Sequence, residues 1–199
     1  MWQTAAALEI YFISGMEIMM SQLKCDFKVV GPVQTNCYFL SNTDTRECVI
    51  VDPGEEAGKI ADFIEKKELK PVAILLTHGH FDHIGAVDEI RNRYGIKVYA
   101  AAAEKETLEN PDINLSSQFG GGYTVKADEF LNDGQEIELL GEKVRCLLTP
   151  GHTKGGMCYY FTGSGILFSG DTLFQQSVGR TDFPGGSMGE IVRSIREKL

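Results

Sequence analysis

Hydrophobic and polar positions along this chain follow two different periods. From residue 25, short runs rich in apolar, aromatic or β-branched residues read as strands: CDFKVV (25–30), TNCYFL (35–40) and ECVIVD (47–52). Gly31-Pro32 and SNTDTRE separate them as turns. The period then changes. In EEAGKIADFIEKKEL (55–69), Ile60, Phe63 and Ile64 recur at helical spacing with charges between them, and Pro71 is expected to stop that helix. VAILLT (72–77) is an unbroken apolar strand running directly into His78. IGAVDEIRNRYG (84–95) reads as a second amphipathic helix closing at Gly95, KVYAA (97–101) as a strand, and AEKETLEN (103–110) as a short helix ending before Pro111. Residues 111–129, which include Gly120-Gly121-Gly122, have weak periodicity and are expected to be a mobile loop or a connection between halves. Strands return in QEIELL (135–140), EKVRCLLT (142–149), GMCYYFT (156–162) and GILFSGD (165–171), with hairpin turns at Gly141-Glu142 and Gly163-Ser164-Gly165. A Gly-rich loop leads to a last helix, MGEIVRSIREKL (188–199). Two sheets packed face to face, with helices outside, would bury all of these apolar faces.

The first twenty residues, MWQTAAALEIYFISGMEIMM, break the pattern. They are apolar but carry Glu9 and Glu17, with no basic stretch ahead of them, and so fit neither a membrane span nor a signal peptide. Met16, Met19 and Met20 each offer a later start. Residues 1–20 are expected to be an atypical, non-native leader and 21–199 a single domain, long enough for one ordinary core. Charge and cysteine usage narrow the class further. A formal net charge of -9 argues against a nucleic-acid partner, because phosphate binding needs a basic face. Cys25, Cys37, Cys48, Cys146 and Cys158 are odd in number, widely spaced and without C-x-x-C, which argues against a disulfide framework and for a reducing, cytoplasmic setting.

The chemistry concentrates in THGHFDHIG (77–85), where three of the chain's four histidines and one aspartate fall between His78 and His83. In an extended segment His78 and His80 project from the same side, so both imidazoles reach one ion. Asp82 and His83 come after a turn, at the start of the next helix, and face a second point close by. His152, in TPGHTKGG, also projects from a strand end, and three neutral imidazoles on one cation leave a fourth position for water. Asp171, in LFSGDT, repeats the arrangement of apolar strand, glycine and carboxylate, and a carboxylate there can bridge two metals. Asp52, in VIVDPG, reads equally as a partner that orients a histidine or as a plain turn aspartate.

H-x-H-x-D-H followed by a distant histidine and SGDT resembles the metallo-β-lactamase superfamily, and is most similar to its short, glyoxalase II-like hydrolases. The resemblance runs from about Phe27 onward through GPVQTNCYFL, VDPG, THGHFDHIGA, TPGHTKGG, FSGDTLF and GRTDFPGG, in family order. It implies a four-layer αββα sandwich of two mixed sheets with outer helices and metals at one edge. It places a first metal on His78, His80 and His152 and a second on Asp82 and His83, with Asp171 bridging. Two Zn2+ per chain are implied; iron and manganese suit the same ligand types. Family members usually carry a further histidine ligand near the C-terminus. None follows His152, and the sequence stops at REKL inside a helix, so a truncated chain with an incomplete second site is the expectation.

The implied activity is hydrolysis. Metal-bound water has a pKa of about 7, and the resulting hydroxide would attack the acyl carbon of a thioester such as S-lactoylglutathione. Asp82 would orient that nucleophile or accept its proton. No G-x-S-x-G is present to suggest a serine nucleophile. Arg180 and Lys154, near the motif loops, are candidates for a substrate carboxylate. Tyr159 and Tyr160 are expected to point one inward and one outward. Competing readings are an iron-dependent persulfide dioxygenase, a lactonase, an RNA-processing nuclease and a metal-binding protein with impaired catalysis.

Overall fold

β1 (Leu23–Val30), β2 (Thr35–Asn42) and β3 (Glu47–Val51) form an antiparallel meander, as the turn residues between them predict. The computed structural model describes residues 22–119 and 121–199; the expected leader at 1–20 lies outside the described residues. α1 (Ala57–Lys66) carries the chain back along the sheet, so β4 (Lys70–Leu75) pairs with β3 in parallel. α2 (Phe81–Ile84) and α3 (Val87–Tyr94) make the next crossover, to β5 (Lys97–Ala101). A 3-10 turn (Ala102–Glu104), α4 (Lys105–Glu109) and α5 (Ser116–Phe119) lead to β6 (Glu129–Leu131). β6 completes a mixed sheet in the order β1-β2-β3-β4-β5-β6. β7 (Glu136–Leu139), β8 (Glu142–Leu148), β9 (Met157–Phe161) and β10 (Ile166–Phe168) form a second sheet in the order β10-β9-β8-β7. β11 (Leu173–Phe174) and β12 (Ser177–Val178) make a small hairpin, and α6 (Met188–Lys198) follows.

Period-two alternation sorts the first sheet's side chains between two cores. Phe39, Ile50, Ile74 and Val98 pack with Ile60, Phe63 and Ile64 of α1 and Val87 and Ile90 of α3. Leu40, Val49, Val51, Leu75 and Leu131 face the second sheet, against Val144, Tyr159, Phe161 and Phe168. Full burial of each such Leu, Ile or Phe contributes about 1.5–3 kcal/mol, so this double core anchors the strand ends from which the edge loops leave. Tyr159 points inward and its hydroxyl donates to the Leu76 carbonyl (2.8 Å), while Tyr160 is half-buried, as alternation predicts. α6 starts at Ser187, whose side chain accepts from Glu190 N. It packs against the turn after β8, where Ile191 is buried and Ser194 donates to the Pro150 carbonyl (2.8 Å). Helices, sheet, sheet and helix give the αββα layering.

Several expectations are corrected. The second sheet is antiparallel throughout rather than mixed, because hairpins join its strands without a helical crossover. Pro71 does not stop a helix: α1 ends earlier, at Lys66, and Pro71 lies within β4. The β3–β4 register shifts between Cys48 and Val49, opposite that position, and an irregularity of this kind accommodates proline in an interior strand. The helix expected over 84–95 is broken at Gly85-Ala86, where the Ala86 amide donates to the Pro53 carbonyl (3.0 Å). The stretch 111–129 is tied to the site loop: Phe81 N donates to Asn114 O (2.9 Å) and the Tyr123 hydroxyl to Phe81 O (2.7 Å).

Candidate metal centre

The ends of strands from both sheets converge on one edge of the sandwich. β4 delivers Thr77, His78, Gly79 and His80, and α2 begins immediately with Phe81, Asp82 and His83. The turn after β8 delivers His152, and the turn after β10 delivers Asp171. Gly54 lets the loop after β3 approach this point: a Cβ there would lie 1.7 Å from the Asp82 carbonyl oxygen.

Two overlapping sets of ligand atoms result. One atom each from His78, His80 and His152 lie within 4.8 Å of one another, as do one each from His78, His83 and Asp171. His80 Nδ1 is 2.9 Å from His152 Nε2. The edge of a tetrahedron of nitrogens about a zinc-sized ion is roughly 3.3 Å, so this spacing suits two ligands of one cation. Asp171 lies between the sets, with Oδ1 3.5 Å from His83 Nε2 and Oδ2 3.5 Å from His152 Nε2. Asp82 Oδ2 is 3.5 Å from His83 Nε2 and accepts from the Thr35 hydroxyl (2.6 Å).

Hydrogen bonds behind the imidazoles select which nitrogen faces inward. Thr77 Oγ1 donates to Asp52 Oδ2 (2.6 Å), so it accepts from His78 Nδ1 (3.2 Å). That leaves the His78 Nε2 lone pair inward, on a buried atom with no hydrogen-bond partner. His152 Nδ1 donates to the Arg180 carbonyl (2.7 Å) and His83 Nδ1 to Asp52 Oδ2 (3.0 Å), which frees Nε2 of each. Asp52 also accepts from the Thr77 amide (2.8 Å), so it is the orienting partner and not a plain turn residue. Its φ of +52° is a strained, left-handed conformation that Asp tolerates better than most residues. The donor set of buried imidazoles and half-buried carboxylates, with lone pairs aimed at shared points, fits divalent cations.

The charge states of His78 and His80 agree, whereas His83 has to release a proton before its Nε2 can bind a cation. Burial, and then the neighbouring His83, His152 and His80, hold the His78 pKa well below 6.5; burial, His152 and His83 do the same to His80. Both imidazoles are thus neutral, as ligands must be. Burial opposes a charge on His83, but Asp82, Asp52 and Asp171 outweigh it and raise its pKa to about 10. Burial pushes the Asp171 carboxyl up, while His83 and His152 pull it down. In cation-free protein these shifts act at opposite ends of the pH scale. His78 and His80 bind fewer protons folded than unfolded, so stability is lost as pH falls below the usual 6.5. His83 binds more protons folded than unfolded, so stability is also lost as pH rises from 6.5 towards 10. Denaturant midpoints of chelator-treated protein are expected to peak between these limbs; a steady rise up to pH 10 would contradict the carboxylate-held proton on His83.

His78, His80, Asp82, His83, His152 and Asp171 are therefore brought together, with Asp52 behind them. The two substrate candidates, Arg180 and Lys154, carry their charges on exposed side chains beside the ligand loops. The Arg180 guanidinium is paired with Asp182 through two hydrogen bonds (2.9 and 2.7 Å) and sits over the Phe183 ring, while its backbone carbonyl holds His152. Lys154 is exposed, 3.6 Å from Glu106. Thr35, Thr77 and Glu104 were not legible as site residues. Glu104 is buried among donors from both ligand loops, yet in sequence it is one acid in a charged helical run.

Known proteins resemble this chain in sequence and in fold. The family model described as the metallo-beta-lactamase superfamily matches residues 30–199. The probable metallo-hydrolase YqgX of Bacillus subtilis (strain 168) is 44% identical over 172 residues, covering 85% of this chain and 81% of YqgX. Hydroxyacylglutathione hydrolase GloC of Haemophilus influenzae is 34% identical over 176 residues, covering 85% of this chain and 81% of GloC. The crystal structure of BLEG-1, a B3 metallo-beta-lactamase, superposes with a TM-score of 0.83 at 42% identity, covering 88% of this chain and 85% of BLEG-1. With the αββα layers and the convergent imidazoles, these matches establish that the chain belongs to the metallo-β-lactamase superfamily, a superfamily of metallo-hydrolases.

Proposed function

We propose that this chain hydrolyses a small-molecule thioester of the S-acylglutathione class, S-lactoylglutathione being the type substrate, to a free acid and a free thiol. The observation that carries the hydrolytic part is Asp171, whose two oxygens lie 3.5 Å from ligand nitrogens of the two cation positions. The narrowing to a thioester rests on the similarity to GloC. His78, His80 and His152 would hold one cation, Asp82 and His83 a second, with Asp171 shared. Bound cations supply an activated water and an electrophile for the acyl oxygen.

The chain's own groups do the rest. The histidine side chains at the centre are buried, whereas Asp82 and Asp171 are 22% and 28% exposed, so substrate meets the carboxylates first. Asp82, anchored by Thr35, orients the attacking water and accepts its proton. A thiolate leaves without a separate acid. The net charge of -9 supports a small-molecule partner over nucleic acid. All five cysteines are free, four of them buried, which supports a reducing, cytoplasmic compartment. Among the described residues no helix is long and apolar enough to cross a membrane.

The similarity to BLEG-1 favours a second reading, β-lactam hydrolysis. Protein loaded separately with zinc, iron or manganese should be given S-lactoylglutathione, a β-lactam, a lactone and a glutathione persulfide. Thiol release from the thioester, at least ~100-fold above the β-lactam rate, is expected. Preferential β-lactam or lactone turnover, or oxygen consumption with persulfide, would overturn the assignment.

A further inference from the structure

Glu104 is 1% exposed and ends the 3-10 turn after β5, outside both sets of candidate ligands. Its carboxylate is nonetheless surrounded by donors from the ligand loops. Oε1 accepts from the amide of Gly79, the residue between His78 and His80 (2.9 Å). Oε2 accepts from the hydroxyl of Thr153, next to His152 (3.0 Å), and from the amide of Gly155 (2.8 Å). Gly155 permits this contact, because a Cβ there would lie 2.3 Å from Glu104 N and 2.5 Å from Oε2. Burying a carboxylate costs several kcal/mol unless donors satisfy it, and here they come from two segments that leave different sheets.

We propose that Glu104 is a positioning residue for the cation triad: its carboxylate clamps the segment bearing His78 and His80 to the segment bearing His152. The inference rests on the cation reading above. A ligand set works only when its atoms are held within about 0.5 Å of the productive geometry. β4 and β8 fix where each loop leaves its sheet, and Glu104 fixes the spacing between the loops.

Glu104→Gln keeps the shape but turns an N–H group towards donors, so at least one of the three contacts is lost. In the full chain, zinc affinity measured by chelator competition is expected to fall about 10–100-fold, the range for partners behind metal ligands. Amide hydrogen exchange at Gly79 and Gly155 should accelerate in the same variant. Thr153→Val removes one donor without changing shape, and its affinity should fall between those of Glu104→Gln and the parent; it decides the matter if Glu104→Gln does not fold. A purely structural role predicts lower stability of the cation-free variants with zinc affinity unchanged, and that result overturns the clamp alone. If the parent binds zinc no better than His152→Ala, the cation reading fails and takes the clamp with it.

Discussion

Replacing His152 with alanine is expected to lower kcat/KM by at least ~100-fold, more than partners behind the ligands cost, and to remove one tight cation equivalent. The reason lies in where its Nε2 sits. That atom is 2.9 Å from His80 Nδ1 and 3.5 Å from Asp171 Oδ2, so it lies where the candidate triad meets the Asp171 carboxylate. It is also the only imidazole of the four supplied from the second sheet. Without it a cation keeps His78 and His80, neighbours on one loop, and loses the group that fixes its position against Asp171. Stability should respond far less. His78 and His80 are held neutral partly by the imidazoles beside them, so deleting His152 removes a repulsion as well as a packing contact. A change within about 1–2 kcal/mol is expected for cation-free protein. Cation stoichiometry, kcat/KM and a denaturant midpoint check all three; a variant that keeps its cation and its rate would remove His152 from the site.

The second large effect is on folding. Asp52→Ala should cost the cation-free protein about 3–5 kcal/mol, the range for stripping one partner from a buried ion pair. The carboxylate accepts from Thr77 N, Thr77 Oγ1 and His83 Nδ1, and all three donors would be left buried. Alanine also fits poorly at a φ of +52°. Against a typical stability of 5–15 kcal/mol this is a large fraction. Asp52→Asn tolerates the backbone and keeps one acceptor oxygen, so its loss should fall between alanine and the parent. Equilibrium unfolding of the three proteins without cation tests the order. An alanine variant within about 0.5 kcal/mol of the parent would mean that Asp52 is no more than the plain turn residue its sequence context also allows.

The six candidate ligands were legible because their signal is local and redundant. His78 and His80 sit one residue apart just past an apolar strand, and His152 and Asp171 each follow an apolar strand and a glycine. The sandwich was legible for the same reason, since alternating strands with two apolar faces must be covered on both sides. What escaped depends on long-range contact. Glu104 looks like any acid of a solvated helix until the Thr153–Gly155 loop closes over it. The contact between Arg180 and His152 also escaped, because it runs through a carbonyl that every residue has. β6, β11 and β12 have only two or three residues each, too few for alternation to show. The break between α2 and α3 comes from a tertiary contact with Pro53 that helical periodicity cannot register.

The central claim is that imidazoles from two sheets share one divalent ion. A crystal structure of zinc-loaded protein, with an anomalous map at the zinc edge, tests it most directly. The account predicts a peak about 2.0–2.1 Å from His78 Nε2, His80 Nδ1 and His152 Nε2 together. Zinc bound elsewhere, with those three nitrogens unligated in fully loaded protein, would contradict it.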